Sequence, residues 1–168
     1  MNFNSQKIKM THQVHIYTDG AAKGNPGPGG YGVVMELVGT PHKKEYYEGF
    51  RHTTNNRMEL LGVIVGLEKL KNFNMTVLVT SDSKYVVDAI EKKWVFGWEK
   101  KGFAGKKNPD LWRRFLIIYR QHQVDFRWIK GHNNHPQNER CDQLAVFGSQ
   151  QKILSIDEVY EQTDKKLF

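Results

Sequence analysis

Three features of the sequence predict an α/β domain built on a five-stranded mixed β-sheet flanked by α-helices. Apolar and polar residues alternate with period two over Gln13–Asp19, and two further strand-like runs follow it before residue 51. Apolar residues recur at helical spacing between residues 56 and 71. Beyond that point strand-like and helix-like segments take turns.

Taken in order, Gln13–Asp19 alternates as a strand does, and the run Gly24-Asn25-Pro26-Gly27-Pro28-Gly29-Gly30 predicts a turn. Strands over Tyr31–Leu37 and Lys43–Phe50 complete a meander. Met58, Leu61 and Val65 place a long buried helix over Asn56–Lys71, with Asn55 or Asn56 as its N-cap. Met75–Thr80 reads as a strand, followed by a helix opening at Ser83. Pro109–Gln123 reads as a helix with Leu111, Phe115 and Ile118 inward, its proline suited to the first turn. Val124–Ile129 supplies the last strand, and a glycine-bearing loop over Gly131–Gln137 leads to a final helix from Asn138 to Gln150. The predicted order is β-β-β-α-β-α-α-β-α. No repeat or Pro/Ser-rich linker divides the chain, so residues 13–152 form one domain between a lead, 1–12, and a tail, 153–168, that reads as either a short helix or a frayed end.

Bulk properties narrow the function. A chain of 168 residues can bury a core without staples. No apolar run approaches the roughly 18 residues that span a bilayer, and the first twelve residues carry Lys7 and Lys9 with no apolar stretch, so a membrane protein and a secreted one are both disfavoured. A cytoplasmic address follows by default. The single cysteine, Cys141, can make neither an intramolecular disulfide nor a thiolate zinc cluster. The net charge of +7 favours an anionic partner. Between Lys92 and Arg114 eight basic residues face two acidic ones, so 8 − 2 = +6 of that charge sits in one segment.

Among eighteen carboxylates, four occupy unusual contexts. Asp19 and Asp82 each end an apolar strand, Glu59 sits between Met58 and Leu60 at the start of the buried helix, and Asp142 lies early in the last helix. An aspartate after a strand is ordinarily a turn former or helix cap. All four together say more, because ligands of mixed sheets favour the carboxyl ends of strands, where Asp19 and Asp82 should emerge side by side. Such a cluster repels itself unless cations neutralise it. Hard oxygen donors with no paired histidine or cysteine favour magnesium, with manganese as a substitute, and two such ions can support in-line attack on phosphorus.

The runs Tyr17-Thr18-Asp19-Gly20, Gly24-Asn25-Pro26-Gly27, Thr53-Thr54-Asn55-Asn56-Arg57-Met58-Glu59-Leu60, Ser81-Asp82-Ser83, Gly131-His132 and Asn138-Glu139-Arg140-Cys141-Asp142 resemble those of type 1 ribonuclease H of bacterial pattern. The resemblance covers residues 14 to 149, with the motifs in order. It implies the ribonuclease H-like fold and an endonuclease that hydrolyses the RNA strand of RNA–DNA hybrids by a two-metal mechanism, leaving 5′-phosphate and 3′-hydroxyl ends. Asp19, Glu59, Asp82 and Asp142 would hold the two magnesium ions, and His132 would move a proton. Gly20, Ala22, Asn55 and Asn56 would meet the RNA strand, whose 2′-hydroxyls distinguish it from DNA. Asn25 and Thr54 would grip a DNA phosphate. The segment from Trp94 to Trp112 resembles the family's basic handle, in which Trp94, Trp98, Lys100, Lys101, Lys106 and Lys107 would follow the DNA strand; for the tryptophans a core role is the competing reading, and for the lysines a solvated face. Two departures stand out: the stretch between Phe103 and Asp110 is shorter than in some relatives, and Asp88 stands where an RNA-contacting amide is often found. Integrases, junction resolvases and some exonucleases carry similar acids, but the His132 loop and the basic segment argue against them. A binding module without catalysis is disfavoured by the four retained acids. A separate N-terminal hybrid-binding domain is not expected, and a monomer is.

Overall fold

The computed structural model describes residues 11–166, so all but two residues of the anticipated N-terminal lead lie outside the described residues. Three antiparallel strands come first: β1 (Val14–Ala22), β2 (Gly27–Leu37) and β3 (Lys43–Thr53). They are followed by α1 (Asn55–Glu68), β4 (Thr76–Ser81), α2 (Lys84–Glu91), α3 (Trp94–Lys100), α4 (Pro109–Tyr119), β5 (Gln123–Trp128), α5 (Pro136–Ser149) and α6 (Glu158–Lys165). The sheet order is β3-β2-β1-β4-β5, with β1–β4 and β4–β5 parallel. The predicted mixed five-stranded sheet is therefore present. Helix α3 was not anticipated, and α6 decides the open reading of the tail in favour of a short helix.

Several predicted boundaries move, each for a physical reason. The run Gly24–Gly30 is not all turn: β2 already begins at Gly27, because a side chain on Gly29 would strike β1 and Thr53, and one on Gly30 would strike α5 and β3. Asp19 consequently does not end β1, which continues to Ala22 by pairing with β2 alone. The N-cap of α1 is Thr54 rather than Asn55 or Asn56; its hydroxyl accepts from the Arg57 N–H at 3.2 Å. The last helix opens at Pro136, two residues earlier than predicted, capped by the His135 ring.

α1 is apolar on nearly every side because it is wedged between the sheet and α4. Leu60, Val63, Ile64 and Leu67 are fully buried against Ile16, Val33, Val77 and Val79, each burial worth about 1.5–3 kcal/mol. On the opposite face of the sheet α5 covers Tyr17 and Val34 with Cys141 and Leu144. Because strand side chains alternate, Asp19 shares the α5-facing side with Tyr17.

The chain end is tied to this body. Ser155 donates to the Gly49 carbonyl at 2.8 Å, and its own carbonyl accepts from Arg51 N–H at 3.0 Å. Asp157 accepts two hydrogen bonds from the buried Arg57 guanidinium, at 2.7 and 2.8 Å, and one from the Thr53 hydroxyl. The same guanidinium donates to both oxygens of Asp110, at 3.0 and 2.7 Å, and to Asn108. One side chain thereby joins α1, α4 and the C-terminal segment. Among the described residues no helix is long and apolar enough to cross a membrane.

Candidate active site

Parallel pairing of β1 with β4 sets the first two acids side by side. Thr18 is opposite Ser81 in the register, so Asp19 and Asp82 follow at adjacent positions at the carboxyl end of β4. Glu59 comes from the first turns of α1. Gly20 brings it close: any Cβ there would collide with the Met58–Glu59 backbone, so β1 and α1 touch main chain to main chain just beyond Asp19. Asp142 arrives on α5 by a similar device, since a Cβ on Gly32 would overlap the Cys141 carbonyl, and Gly32 is the register partner of Asp19. Asp142 sits six residues into the helix, nearer its second turn than its first.

All four acids are half-buried. Burial, aided by the charges of Asp82, Asp142 and Glu59, pushes the Asp19 carboxyl up to about 8, against a hydrogen bond from the Gly20 N–H. Burial also raises Glu59, with Asp82 adding to it, while the Ser83 hydroxyl donates to Glu59 at 2.6 Å and opposes the rise. Asp82, Asp142 and Glu59 thus all act on Asp19, and Asp82 acts on Glu59 as well. Among the described residues, no three side chains are already drawn into a metal-holding arrangement. The fit to a cation is therefore one of charge and donor chemistry: oxygen donors only, repelling one another, with the Cys141 thiol buried in the α5 packing and pushed up by that burial.

Polar neighbours hold these acids in place. Asn138 reaches Asp82 from α5 at 3.4 Å, and the Trp128 indole N–H donates to the Asp82 carbonyl at 2.9 Å. Ser83, Asn138 and Trp128 were not singled out from the sequence. A serine following a candidate acid signals a helix cap, which Ser83 also is, but nothing local announces its bond to Glu59. His132 stands exposed on the turn between β5 and α5 with φ 54°.

Gly20 is buried at the β1–α1 contact, whereas Asn55 is bound to the glycine-rich turn. Its side-chain oxygen accepts from the Ala22 N–H at 2.6 Å, and its own N–H donates to the Asn25 side chain at 3.0 Å. Asn56 is exposed. Asn25, Thr54 and Asn56 line a cleft of about 640 Å³ whose far wall carries Lys106 and Lys107, and whose near wall is α6. In the basic segment Lys100, Lys101, Lys106 and Lys107 are all exposed. Trp94 is also exposed, with the Lys92 ammonium 5.1 Å from its ring. Trp98 packs edge-on to the buried Trp112 while Lys106 lies 5.1 Å over its ring, so it is part core and part surface. Asp88 is half-buried on α2 with Lys92 at 3.5 Å.

The chain matches the family model described as RNase H over residues 11–150. It is 55% identical to the ribonuclease H of Desulforamulus reducens over 159 residues, which is 92% of this chain and 98% of that one. Ribonuclease H of Rippkaea orientalis is 53% identical, over 89% of this chain and 93% of that one. Among solved structures, LC9-RNase H1, a type 1 RNase H with the type 2 active-site motif, superposes with a TM-score of 0.73 at 32% identity, covering 83% of this chain and 73% of that chain. LC11-RNase H1 in complex with an RNA/DNA hybrid superposes with a TM-score of 0.62 at 29% identity, covering 80% and 94%.

Proposed function

The chain belongs to the ribonuclease H family, with the family's α/β fold, and on that premise we propose that it is a metal-dependent endonuclease cutting the RNA strand of RNA–DNA hybrids. The observation that carries this reading is the register that sets Asp19 beside Asp82 at one end of the sheet, with the half-buried Glu59 and Asp142 also acting on Asp19. Supporting it, a solved relative binds an RNA/DNA hybrid.

Asp19, Glu59, Asp82 and Asp142 would hold two magnesium ions, or manganese in their place. Bound there, the metal supplies activation of water and stabilisation of the leaving oxygen. The protein's own groups do the rest. The Ser83 hydroxyl orients Glu59, Asn138 reaches the Asp82 carboxylate, and Trp128 fixes the Asp82 main chain. Asn55, with its oxygen committed to Ala22, keeps its amide N–H groups for an RNA sugar, and Asn56 stands exposed beside it. Asn25, Thr54 and the lysine wall opposite would take the DNA backbone, with Trp94 and Trp98 as supports. His132, exposed on its turn, would accept or pass a proton during the reaction. Attack on phosphorus with departure of the 3′-oxygen leaves 5′-phosphate and 3′-hydroxyl ends. The enzyme would work as a cytoplasmic monomer.

The test presents matched RNA–DNA hybrid, RNA duplex and DNA duplex to the purified protein with magnesium and with chelator. Magnesium-dependent cutting confined to the RNA strand of the hybrid is expected. Equal cutting of all three duplexes, or cutting that survives the chelator, would overturn the reading.

A further inference from the structure

α6 has a fixed root and a loosely held blade. The root is anchored by the Ser155 backbone bonds to β3 and by Asp157, buried against Arg57 and Thr53. The blade, Glu158–Lys165, buries none of its residues. Besides the tilted contact of Tyr160 with His52, centroids 5.5 Å apart, and the Arg57 guanidinium 5.9 Å from the Tyr160 ring, two polar pairs hold it: Glu161 on Arg51 at 3.0 Å and Asp164 on His52 at 2.9 Å, the second an ion pair when His52 is protonated. Residues 157, 161 and 164 fall on one helical face, so root and blade present their carboxylates in a row.

That row pairs, through Glu161 and Asp164, with the two basic residues that lead into Thr53 and Thr54. Thr54 lines the cleft, Lys106 and Lys107 form its opposite wall, and Tyr160, Thr163 and Asp164 close the near side. Arg51 and His52 lie just outside the lining, but Asp164, bonded to His52, is part of it, so a phosphodiester backbone lying in this cleft would meet the carboxylate of the blade.

We propose that α6 is an autoinhibitory strap whose Glu161 and Asp164 compete with the nucleic-acid backbone for Arg51 and His52, so that the substrate must displace the blade to seat fully. The proposal rests on the reading that the cleft takes the DNA strand of a hybrid. Displacement is within reach, because the Arg51 and His52 side chains remain 53% and 34% exposed and such surface pairs are individually weak, whereas a polyanion gains by releasing its counterions.

The experiment measures hybrid binding across a salt series in chelator, and KM in magnesium, for wild type, E161Q/D164N, and a chain ending at Asp157. Both variants should bind about three- to tenfold more tightly, as loss of two weak competing pairs implies. KM should fall with kcat unchanged, and the logarithmic salt slope should steepen by about one unit for each additional phosphate that the freed basic residues neutralise. Replacing Arg51 and His52 by alanine should abolish the tighter binding. Unchanged or weaker binding by E161Q/D164N, with its thermal unfolding like that of wild type, would overturn the strap. Wild-type protein that neither binds nor cuts hybrid would instead take down the underlying reading, and the strap with it.

Discussion

Glu59 and Arg57 stand two residues apart on α1, yet they belong to charge clusters of opposite character. Around Arg57 every charge faces an opposite one: burial alone would depress the guanidinium, but its hydrogen bonds to Asp110 and Asp157 outweigh that and hold it firmly protonated. Burial likewise works to raise Asp110, and the Arg57 guanidinium overcomes it and holds the carboxyl below its usual range. Around Glu59 the charges are alike, and Asp19 is driven up. The first cluster is satisfied within the fold and serves architecture. The second is left frustrated, which a fold tolerates where a ligand will supply what is missing.

Breaking the frustrated cluster should have the largest effect. Asp19→Asn or Asp82→Asn should cut cleavage by more than about 10³-fold, over ~4 kcal/mol of barrier, while thermal unfolding shows stability unchanged or raised. Near-wild-type activity of both variants in magnesium would sink the proposed site. His132→Ala removes a proton carrier without touching the charge cluster. Turnover should drop by about 10²–10⁴-fold, less than for Asp19→Asn, with hybrid binding unchanged. A wild-type rate from pH 6 to 9 would reduce His132 to a loop residue.

The satisfied cluster should fail in the opposite way. Arg57→Ala strands two carboxylates and should cost about 3–5 kcal/mol in urea unfolding, yet retain cleavage at temperatures where it is folded. The clusters should also respond oppositely to pH. Asp110 is lower in the folded state, so its contribution is present above its ordinary value of 3.8 and is lost as pH falls below it. Asp19 is higher in the folded state, so its contribution is present below 3.8 and is lost as pH rises toward about 8. In chelator, Asp19→Asn should therefore flatten the loss of stability between those values, and Arg57→Ala should flatten the acid limb; parallel curves for wild type and variants would refute the contrast. The smallest effect belongs to charges in neither cluster. Replacing Lys100, Lys101, Lys106 and Lys107 by alanine should weaken hybrid binding and lower the salt slope by about one unit for each phosphate no longer neutralised, with kcat largely kept. An unchanged slope would make them a solvated face.

The frustrated cluster was largely legible in the sequence, and the satisfied one was not. Strand alternation placed Asp19 and Asp82 near neighbouring strand ends, and helical spacing placed Glu59 early in a buried helix. The partners of Arg57 lie 53 and 100 residues away and leave no periodic trace. α6 was undecided because it has no buried residue and hence no apolar stripe to read. α3 begins after Lys93 in a left-handed conformation with no side-chain cap, so the usual start signal is missing. Strand β2 was started too late because glycines that admit α5 at close range read as turn residues.

That close range makes the missing Cβ of Gly32 a caliper. The spacing between the strand that carries Asp19 and the helix that carries Asp142 is gauged by backbone atoms in contact, with no flexible side chain between them to absorb an error. A single added methyl group on Gly32 would act as a shim, lifting α5 and with it one acid of the four while altering no charge.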